Sequence, residues 1–368
     1  PMSRGLGDVY KRQDLYYAVG GTILDPDDSW LETPISEREE IVLSDDGCSV
    51  IEINLENRGL QGYIPAINLP SLAVLNLSHN ELTGEIPSFQ SLTNLINLDL
   101  SYNELTGSIP NFDSLGNLTY LDCSSNQLTG NIPSFENLTE VRYLYLSDNE
   151  LTGNIPSFEN LINLIILNFS YNQLSGEIPS FENSTNLKNL YFISNQLTGN
   201  TPSFANLINL ERIELTNNQL TGEIPDFENL INLKRLYLAH NQLTGEIPSF
   251  ENLVNLEVLH FSNNQLDGTI PNFQNLPNLI SILLSDNQLT GDIPNFQNLP
   301  VLYEINFSNN QLDGTIPNFQ NLTNLVSIFL QNNQLTGEIP NFQNLEFLDT
   351  VYLYLSLIHI SEPTRHRR

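Results

Sequence analysis

The feature that most constrains this chain is an internal repeat of constant length. An Ile-Pro pair, replaced once by Thr-Pro, recurs in thirteen units; its first step is 22 residues and the next eleven are all 23. A unit this short cannot bury a hydrophobic face alone, so neighbouring units must stack to form a continuous core. The repeat therefore predicts one elongated array rather than several globular domains. The prolines are residues 65, 87, 110, 133, 156, 179, 202, 225, 248, 271, 294, 317 and 340.

One unit, residues 230–252, reads LINLKRLYLAHNQLTGEIPSFEN. Its Leu233, Leu236 and Leu238 alternate with variable residues, which predicts a short strand that buries the leucines and exposes the residues between them. Successive strands, one from each unit, are expected to pair in parallel. Asn241 follows the strand, and its column holds asparagine in twelve consecutive units. We expect this column to form a ladder of buried amides that satisfy backbone groups of the turns.

Two further columns have predicted structural roles. Gly245 is expected to take a backbone conformation that residues with side chains resist. Phe250 belongs to a column of twelve phenylalanines, from Phe89 to Phe342. We expect their rings to stack as a spine under the convex side of the array.

The frame L-x-x-L-x-L-x-x-N-x-L, followed by L-T-G-x-I-P, resembles the plant-type class of leucine-rich repeat, which occurs in plant receptors and in bacterial surface or secreted proteins. The resemblance covers roughly residues 51–353. It implies an α/β-type repeat solenoid, mostly parallel β with an irregular or 3-10 convex side. It also implies a right-handed leucine-rich-repeat superhelix of about 13 coils and an extracellular or cell-surface location.

The ends of the chain depart from the repeat. Residues 14–50 are expected to form an N-terminal cap, and this stretch resembles the cap of exported bacterial leucine-rich-repeat proteins. The segments 1–13 and 354–368 follow no repeat column and resemble translated sequencing-adapter read-through, so we expect both to be non-native. The array is accordingly expected to be a fragment of a longer protein.

Composition and motifs argue against several functions. The chain has 43 Asp and Glu against 13 Lys and Arg, a net charge of −30, which disfavours nucleic-acid binding. The serine column at Ser78, Ser101 and Ser124 comes from the repeat template and has no assigned base, so we predict no enzymatic activity. We also predict no cofactor, no metal site and no membrane span in this segment, and no function for Cys48 or Cys123.

Binding residues in such an array are expected where the columns vary, at positions 9, 10, 12, 14 and 15 after each proline. All five basic residues between Gly59 and Leu353 stand at position 9 or 10. Tyrosines and histidines share these variable columns, and Arg and aromatic residues are enriched at binding hot spots. The alternative is that long side chains merely tolerate exposed positions, with Glu211, Glu214 and Glu257 neutralising the charge. The predicted concave-face site comprises Arg142, Tyr143, Tyr145, Lys188, Tyr191, Arg212, Glu214, Lys234, Arg235, Tyr237, His240 and His260.

The predicted function is a non-catalytic binding module that recognises a protein, peptide or glycan on the concave face. Two alternatives stay open: the sensor ectodomain of a larger receptor or enzyme, and a structural spacer or adhesin repeat. A third hypothesis is ice binding, because a threonine column recurs at coil spacing. That column is interrupted by Ser175, Asp267 and Asp313.

Overall fold

The structure is a computed structural model that describes residues 40–45, 47 and 49–354. The predicted non-native segment 1–13, most of the predicted cap, Cys48 and residues 355–368 lie outside this part of the chain. The chain divides into two compact units, Pro1–Asn195 and Gln196–Arg368. Each unit is built from 23-residue coils, and the array has about 13 turns.

The first unit contains strands β1 to β14. Eight of them form its main sheet, namely β1, β2 and the even-numbered strands from β4 to β14. The other six lie in two lateral sheets, with β3, β5 and β7 in one and β9, β11 and β13 in another. The bounds are β1 Ile41–Leu43, β2 Val50–Asn54, β3 Gln61–Tyr63, β4 Val74–Asn76, β5 Glu81–Glu85, β6 Asn97–Asp99, β7 Glu104–Thr106, β8 Tyr120–Asp122, β9 Thr129–Asn131, β10 Tyr143–Tyr145, β11 Glu150–Asn154, β12 Ile166–Asn168, β13 Gln173–Glu177 and β14 Asn189–Tyr191.

The second unit contains strands β15 to β26. Its main sheet holds seven of them: β16, β17, β19, β21, β23, β25 and β26. The bounds are β15 Gln196–Thr198, β16 Arg212–Glu214, β17 Arg235–Tyr237, β18 Thr244–Glu246, β19 Val258–His260, β20 Gln265–Asp267, β21 Ser281–Leu283, β22 Thr290–Gly291, β23 Glu304–Asn306, β24 Gln311–Leu312, β25 Ser327–Phe329 and β26 Thr350–Tyr352.

The main-sheet strands from β2 onward pair in parallel within each unit, as the repeat predicts. Residues one period apart face each other, so Arg235 pairs with Val258 and Leu236 with Leu259. At the start of the first unit, β1 runs antiparallel to β2. This short strand covers the edge that β2 would otherwise present to solvent.

The asparagine ladder is confirmed in both units. The Asn241 side-chain amide donates to the carbonyl oxygens of Leu215 at 3.0 Å and Leu238 at 3.1 Å. Its own carbonyl oxygen accepts the backbone N–H of Leu220 at 3.0 Å. One buried side chain therefore satisfies polar backbone groups on both sides of the turn, within its own coil and in the preceding one.

The glycine and phenylalanine predictions are also confirmed. Gly245 has φ of +79°. In the first unit, Phe112 and Phe135 stack with ring centroids 6.4 Å apart. In the second unit, Phe296 and Phe319 stack at 6.5 Å. These rings form the predicted spine and are almost fully buried.

The side of the array that was expected to be irregular or 3-10 is irregular. The described residues contain no helix, 3-10 segments included; consecutive turns take their place. In one coil Leu230 N–H donates to the Phe227 carbonyl and Leu233 N–H to the Leu230 carbonyl, each at 2.8 Å. Phe227 itself has φ of +51°, and a residue in this left-handed region cannot continue a right-handed helical turn. In this coil the first turn therefore begins at Phe227, and no right-handed helical turn runs into it from the preceding residues.

The lateral sheets were not foreseen from the repeat. They are formed by the L-T-G segment after each ladder asparagine, as in the pairing of Thr83 with Glu104 and of Glu85 with Thr106. The threonine column lies on this sheet, and most of its members are exposed. Most coils therefore contribute two strands, one to the main sheet and one to a lateral sheet.

Candidate functional site

The main-sheet strands define which variable residues reach the exposed face. Most are three residues long, with a buried centre and two half-buried ends, and those ends are positions 10 and 12 after the proline. Position 9 precedes the strand. Position 14 is buried in most coils, as at Ser101 and Ser170. Position 15 lies in the turn that follows, where His240 is exposed and has φ of +54°. Of the five predicted positions, 9, 10 and 12 therefore lie on the exposed face, 14 is buried in most coils, and 15 lies in the turn beside that face.

In the second unit, Arg212 and Glu214 occupy the two ends of β16. The Arg212 Nε donates to Glu214 Oε1 at 3.0 Å, and the guanidinium and carboxylate form an ion pair. The same guanidinium lies 5.3 Å from the centre of the Tyr237 ring on the adjacent strand. A carboxylate and an aromatic ring thus hold this arginine in one orientation on the sheet.

Tyr237 and His260 continue this surface onto the next strand. Their ring centroids are 6.0 Å apart and the rings meet edge to face at 76°. Burial, reinforced by the nearby charge of His240, lowers the pKa of His260. His260 is therefore largely neutral at neutral pH and can act as hydrogen-bond donor or acceptor.

The two remaining basic residues of the predicted site in this unit are paired with acids from neighbouring coils. Lys234 Nζ lies 2.7 Å from Glu211 Oε2, and Arg235 Nε lies 3.5 Å from Glu257 Oε2. Both cations are nearly half exposed, so water screens these pairs and each contributes little to stability. Glu214, Glu211 and Glu257 thus each form an ion pair with one of the predicted basic residues, as the alternative to a binding surface expects. The surface is consequently rich in charges of both signs rather than cationic.

In the first unit, three tyrosines cluster on β8 and β10. Tyr120 lies 6.3 Å from Tyr143 and 5.7 Å from Tyr145 between ring centroids. The Tyr120 hydroxyl donates to Asp122 Oδ2 at 3.1 Å. Burial, and then the negative charge of Asp122, raises the pKa of Tyr145. Tyr143 and Tyr145 were predicted from the sequence, whereas Tyr120 and Asp122 were not.

The other predicted residues of the first unit lie on the same sheet. Arg142 and Lys188 are exposed and immediately precede β10 and β14. Tyr191 ends β14 and is in register with Asn168 on β12. The signal that could have found Tyr120 and Asp122 was present, because they occupy positions 10 and 12 after Pro110. Their coil contains no Lys or Arg, so positive charge does not mark it.

No other chemistry is assembled in residues 40–45, 47 and 49–354. Within them no group of three or more His, Cys, Asp and Glu side chains could hold a metal ion. The Ser124 hydroxyl donates to Asp122, so this member of the serine column is tied to the sheet. Cys123 is buried in the core, and burial raises the pKa of its thiol. This described part of the chain contains no helix that is long and apolar enough to cross a bilayer.

Comparison with known proteins identifies the repeat. The family profile for leucine-rich repeats in two copies matches residues 70–114, 93–138, 116–161 and 231–275. The single leucine-rich-repeat profile matches residues 163–183, 209–230 and 324–348. No curated protein sequence gives a significant match.

Three solved structures are similar to this chain. The PEPR1–AtPEP1 structure is 33% identical over 91% of this chain and 49% of its own, with a TM-score of 0.82. The plant peptide hormone receptor RGFR1, in complex with RGF2, is 32% identical over 80% of this chain and 57% of its own, with a TM-score of 0.64. A plant ice-binding protein is 28% identical over 85% of this chain and 90% of its own, with a TM-score of 0.55. This chain spans about half the length of the PEPR1 chain. With its 23-residue repeat, its parallel sheet and its asparagine ladder, the chain belongs to the leucine-rich-repeat family.

Proposed function

We propose that this chain is a non-catalytic binding module that recognises a peptide on the exposed face of its main sheet. The observation that carries the proposal is the cluster of Arg212, Tyr237 and His260 on three adjacent strands of the second unit. The likeness to a plant peptide hormone receptor supports this ligand class and, with it, an exported or cell-surface location. Because the chain spans only part of the receptor chains, the sensor portion of a longer receptor is the natural context.

The geometry of this cluster suits binding for a physical reason. A few hot-spot side chains, among which Arg and Tyr are enriched, supply most of the energy at protein interfaces, but ordering a flexible side chain costs about 0.5–1.5 kcal/mol. Arg212 is already ordered by Glu214 and by the face of Tyr237. Binding a peptide there would add contacts without that full cost. The half-buried rings of Tyr237 and His260 offer an apolar surface with polar edges beside it.

Selection from a displayed random-peptide library tests the proposal. The full chain is the bait, and selected peptides are then measured against the triple variant Arg212→Ala, Tyr237→Ala, His260→Ala. We expect the variant to lose at least about tenfold in affinity, as removal of hot-spot side chains does. The matched control is Ile208→Ala, Ile231→Ala, Val254→Ala, which removes three exposed side chains outside the main-sheet strands of the same unit.

The two triple variants separate binding at the main sheet from binding elsewhere. Circular dichroism first verifies that both triple variants are folded. Peptides that lose affinity only for the main-sheet variant support the proposal. A library that yields no binder would contradict the proposal and favour a structural spacer. Peptides bound equally by both variants would contradict the assignment of the site to Arg212, Tyr237 and His260.

A second candidate is ice binding, favoured by the threonine column and by the likeness to a plant ice-binding protein. In the first unit Thr83 and Thr106 stand on β5 and β7 of one lateral sheet, and Thr129 and Thr152 stand on β9 and β11 of the next. The hydroxyls of Thr83 and Thr129 approach carbonyl oxygens of the preceding coil at 3.3 and 3.4 Å. An assay of ice recrystallisation with wild type and the Thr106→Tyr, Thr129→Tyr variant decides this point. Equal growth of ice crystals with and without the wild-type protein would exclude the activity.

A further inference from the structure

We propose that the first unit binds the cationic side chain of a peptide, a lysine or an arginine, on a patch formed by Asp99, Tyr120, Asp122, Tyr143 and Tyr145. We call these five residues the tyrosine–aspartate patch. The proposal rests on the proposed peptide-binding function and extends it to a stated ligand chemistry. It concerns a surface in the first unit, whereas the cluster around Arg212 lies in the second.

The patch is continuous across three adjacent strands. Asp99 ends β6, Tyr120 and Asp122 are the two ends of β8, and Tyr145 ends β10. Asp122 is in register with Asp99 on one side and with Tyr145 on the other. Paired strands are about 4.7–4.9 Å apart, so both carboxylates and the tyrosine lie in one row on the exposed face.

The aromatic part of the patch is fixed rather than loose. Tyr120 contacts both tyrosines of β10, with tilts of 46° and 49° between the rings. Its hydroxyl is held by Asp122 Oδ2 at 3.1 Å. The tilted rings leave aromatic surface beside the acids, which is the arrangement that attracts Lys and Arg through cation–π contacts.

The carboxylates are oriented by the backbone of their own strands. Oδ1 of Asp99 accepts the N–H of Ser101 at 3.0 Å, and Oδ1 of Asp122 accepts that of Ser124 at 2.9 Å. Among residues 40–45, 47 and 49–354, no Lys or Arg forms an ion pair with either aspartate. Two adjacent acids repel each other, and an external cation between or above them relieves that repulsion.

This chemistry selects an organic cation over other ligands. A calcium ion needs six to eight oxygen ligands, and in the described part of the chain no group of three potential ligand side chains surrounds the patch. A phosphate or an acidic peptide would be repelled by the two carboxylates. The net charge of −30 further attracts cationic segments from solution. The contrast with the second unit is clear, because there every basic residue of the predicted site contacts a glutamate.

Fluorescence anisotropy with a defined probe tests the inference. The probe is a labelled peptide of alternating glycine and arginine, compared with the same peptide in which citrulline replaces arginine. Citrulline keeps the planar shape of the side chain but has no charge, and a carbonyl oxygen stands in place of one of the guanidinium NH2 groups. We expect the arginine peptide to bind the full chain at least about tenfold more tightly at physiological ionic strength.

Variants separate the patch from general attraction to an acidic protein. Asp122→Asn and Tyr145→Ala are each expected to weaken the arginine peptide by about tenfold. The matched controls are Glu136→Gln, an exposed acid on the convex side, and Tyr171→Ala, an exposed tyrosine in a turn of the same unit. We expect the controls to stay within about twofold of wild type.

The outcomes distinguish this inference from the proposed function. Equal losses for Asp122→Asn and Glu136→Gln would mean non-specific attraction, and this would overturn the patch as a site. Equal affinity for arginine and citrulline peptides would overturn its cation preference. Either result leaves the proposed peptide-binding function intact, because that function is measured with selected peptides on the second unit.

Discussion

Replacing the ladder asparagine Asn241 by alanine is expected to destabilise the array far more than an exposed hydrogen bond of the same kind would suggest. In the native structure its side chain bonds the carbonyl oxygens of Leu215 and Leu238 and the N–H of Leu220, all at 3.0–3.1 Å. Alanine would leave these three buried groups without that partner. Each unsatisfied buried group costs about 1–3 kcal/mol, so three of them correspond to a loss of about 3–9 kcal/mol in the free energy of unfolding.

The same coil supplies a matched control. Asn232 also donates its side-chain amide to a carbonyl one coil back, that of Ile208, at 3.0 Å, but this pair is exposed. Water replaces the lost bond there, and we expect Asn232→Ala to cost less than about 1 kcal/mol. Burial, not bond length, separates the two predictions.

Urea denaturation measures the difference, and amide exchange localises it. The Asn241→Ala variant should lose protection at the Leu220 amide, which donates to the Asn241 side chain in the wild type. Because a repeat array can unfold in parts, the slope of each transition must be compared as well as its midpoint. Equal destabilisation by Asn241→Ala and Asn232→Ala would refute the reasoning.

Three further predictions concern other residues. Thr201→Ile should raise the free energy of unfolding by about 1–2 kcal/mol in urea denaturation, because the Thr201 hydroxyl is buried without a hydrogen-bond partner and isoleucine occupies that column in the following coils. No gain in stability would contradict this. His260→Gln should become more stable relative to wild type as pH falls from about 7 to about 5, because the unfolded histidine binds protons that the folded one, with its lowered pKa, resists. A pH-independent difference in thermal melting would argue against it. Finally, burial raises the pKa of Asp122, so protonation should weaken the arginine peptide at a higher pH than an ordinary aspartate would. Anisotropy titrations of Asp122→Asn should lack that step, and a step retained in the variant would assign it elsewhere.

The repeat columns were predictable because each repeats a single physical requirement. The leucines of the strand, Asn241, Gly245 and Phe250 each meet the same neighbours in every coil. The turns of the convex side and the lateral sheets were less predictable. The left-handed backbone of Phe227, for example, goes against the preference of bulky residues, and close packing within the stacked array offsets its cost.

The candidate site was only partly predictable. The sequence placed Arg212, Tyr237 and His260 in exposed columns, and the structure brings them into contact. It did not reveal that Lys234 and Arg235 contact acids of neighbouring coils. The basic residues also gave no indication of Tyr120, whose ring contacts both Tyr143 and Tyr145 and whose hydroxyl donates to Asp122.

By itself, the sequence determined the period, the buried leucine, asparagine and phenylalanine columns, and most of the positions that face outward; position 14, which is buried in most coils, is the exception. A short repeat cannot bury its leucines within itself, so it buries them by stacking on the neighbouring repeats. The tertiary structure decided which outward side chains meet. Residues one period apart become neighbours on paired strands, as Tyr120 and Tyr143 do. The tilted Tyr120 ring also contacts Tyr145, which lies diagonally across the strand pair and in a different repeat column. Whether two variable side chains touch depends on their orientations and on the identity of both partners. The repeat period gives the position of each residue along the coil but not these two properties.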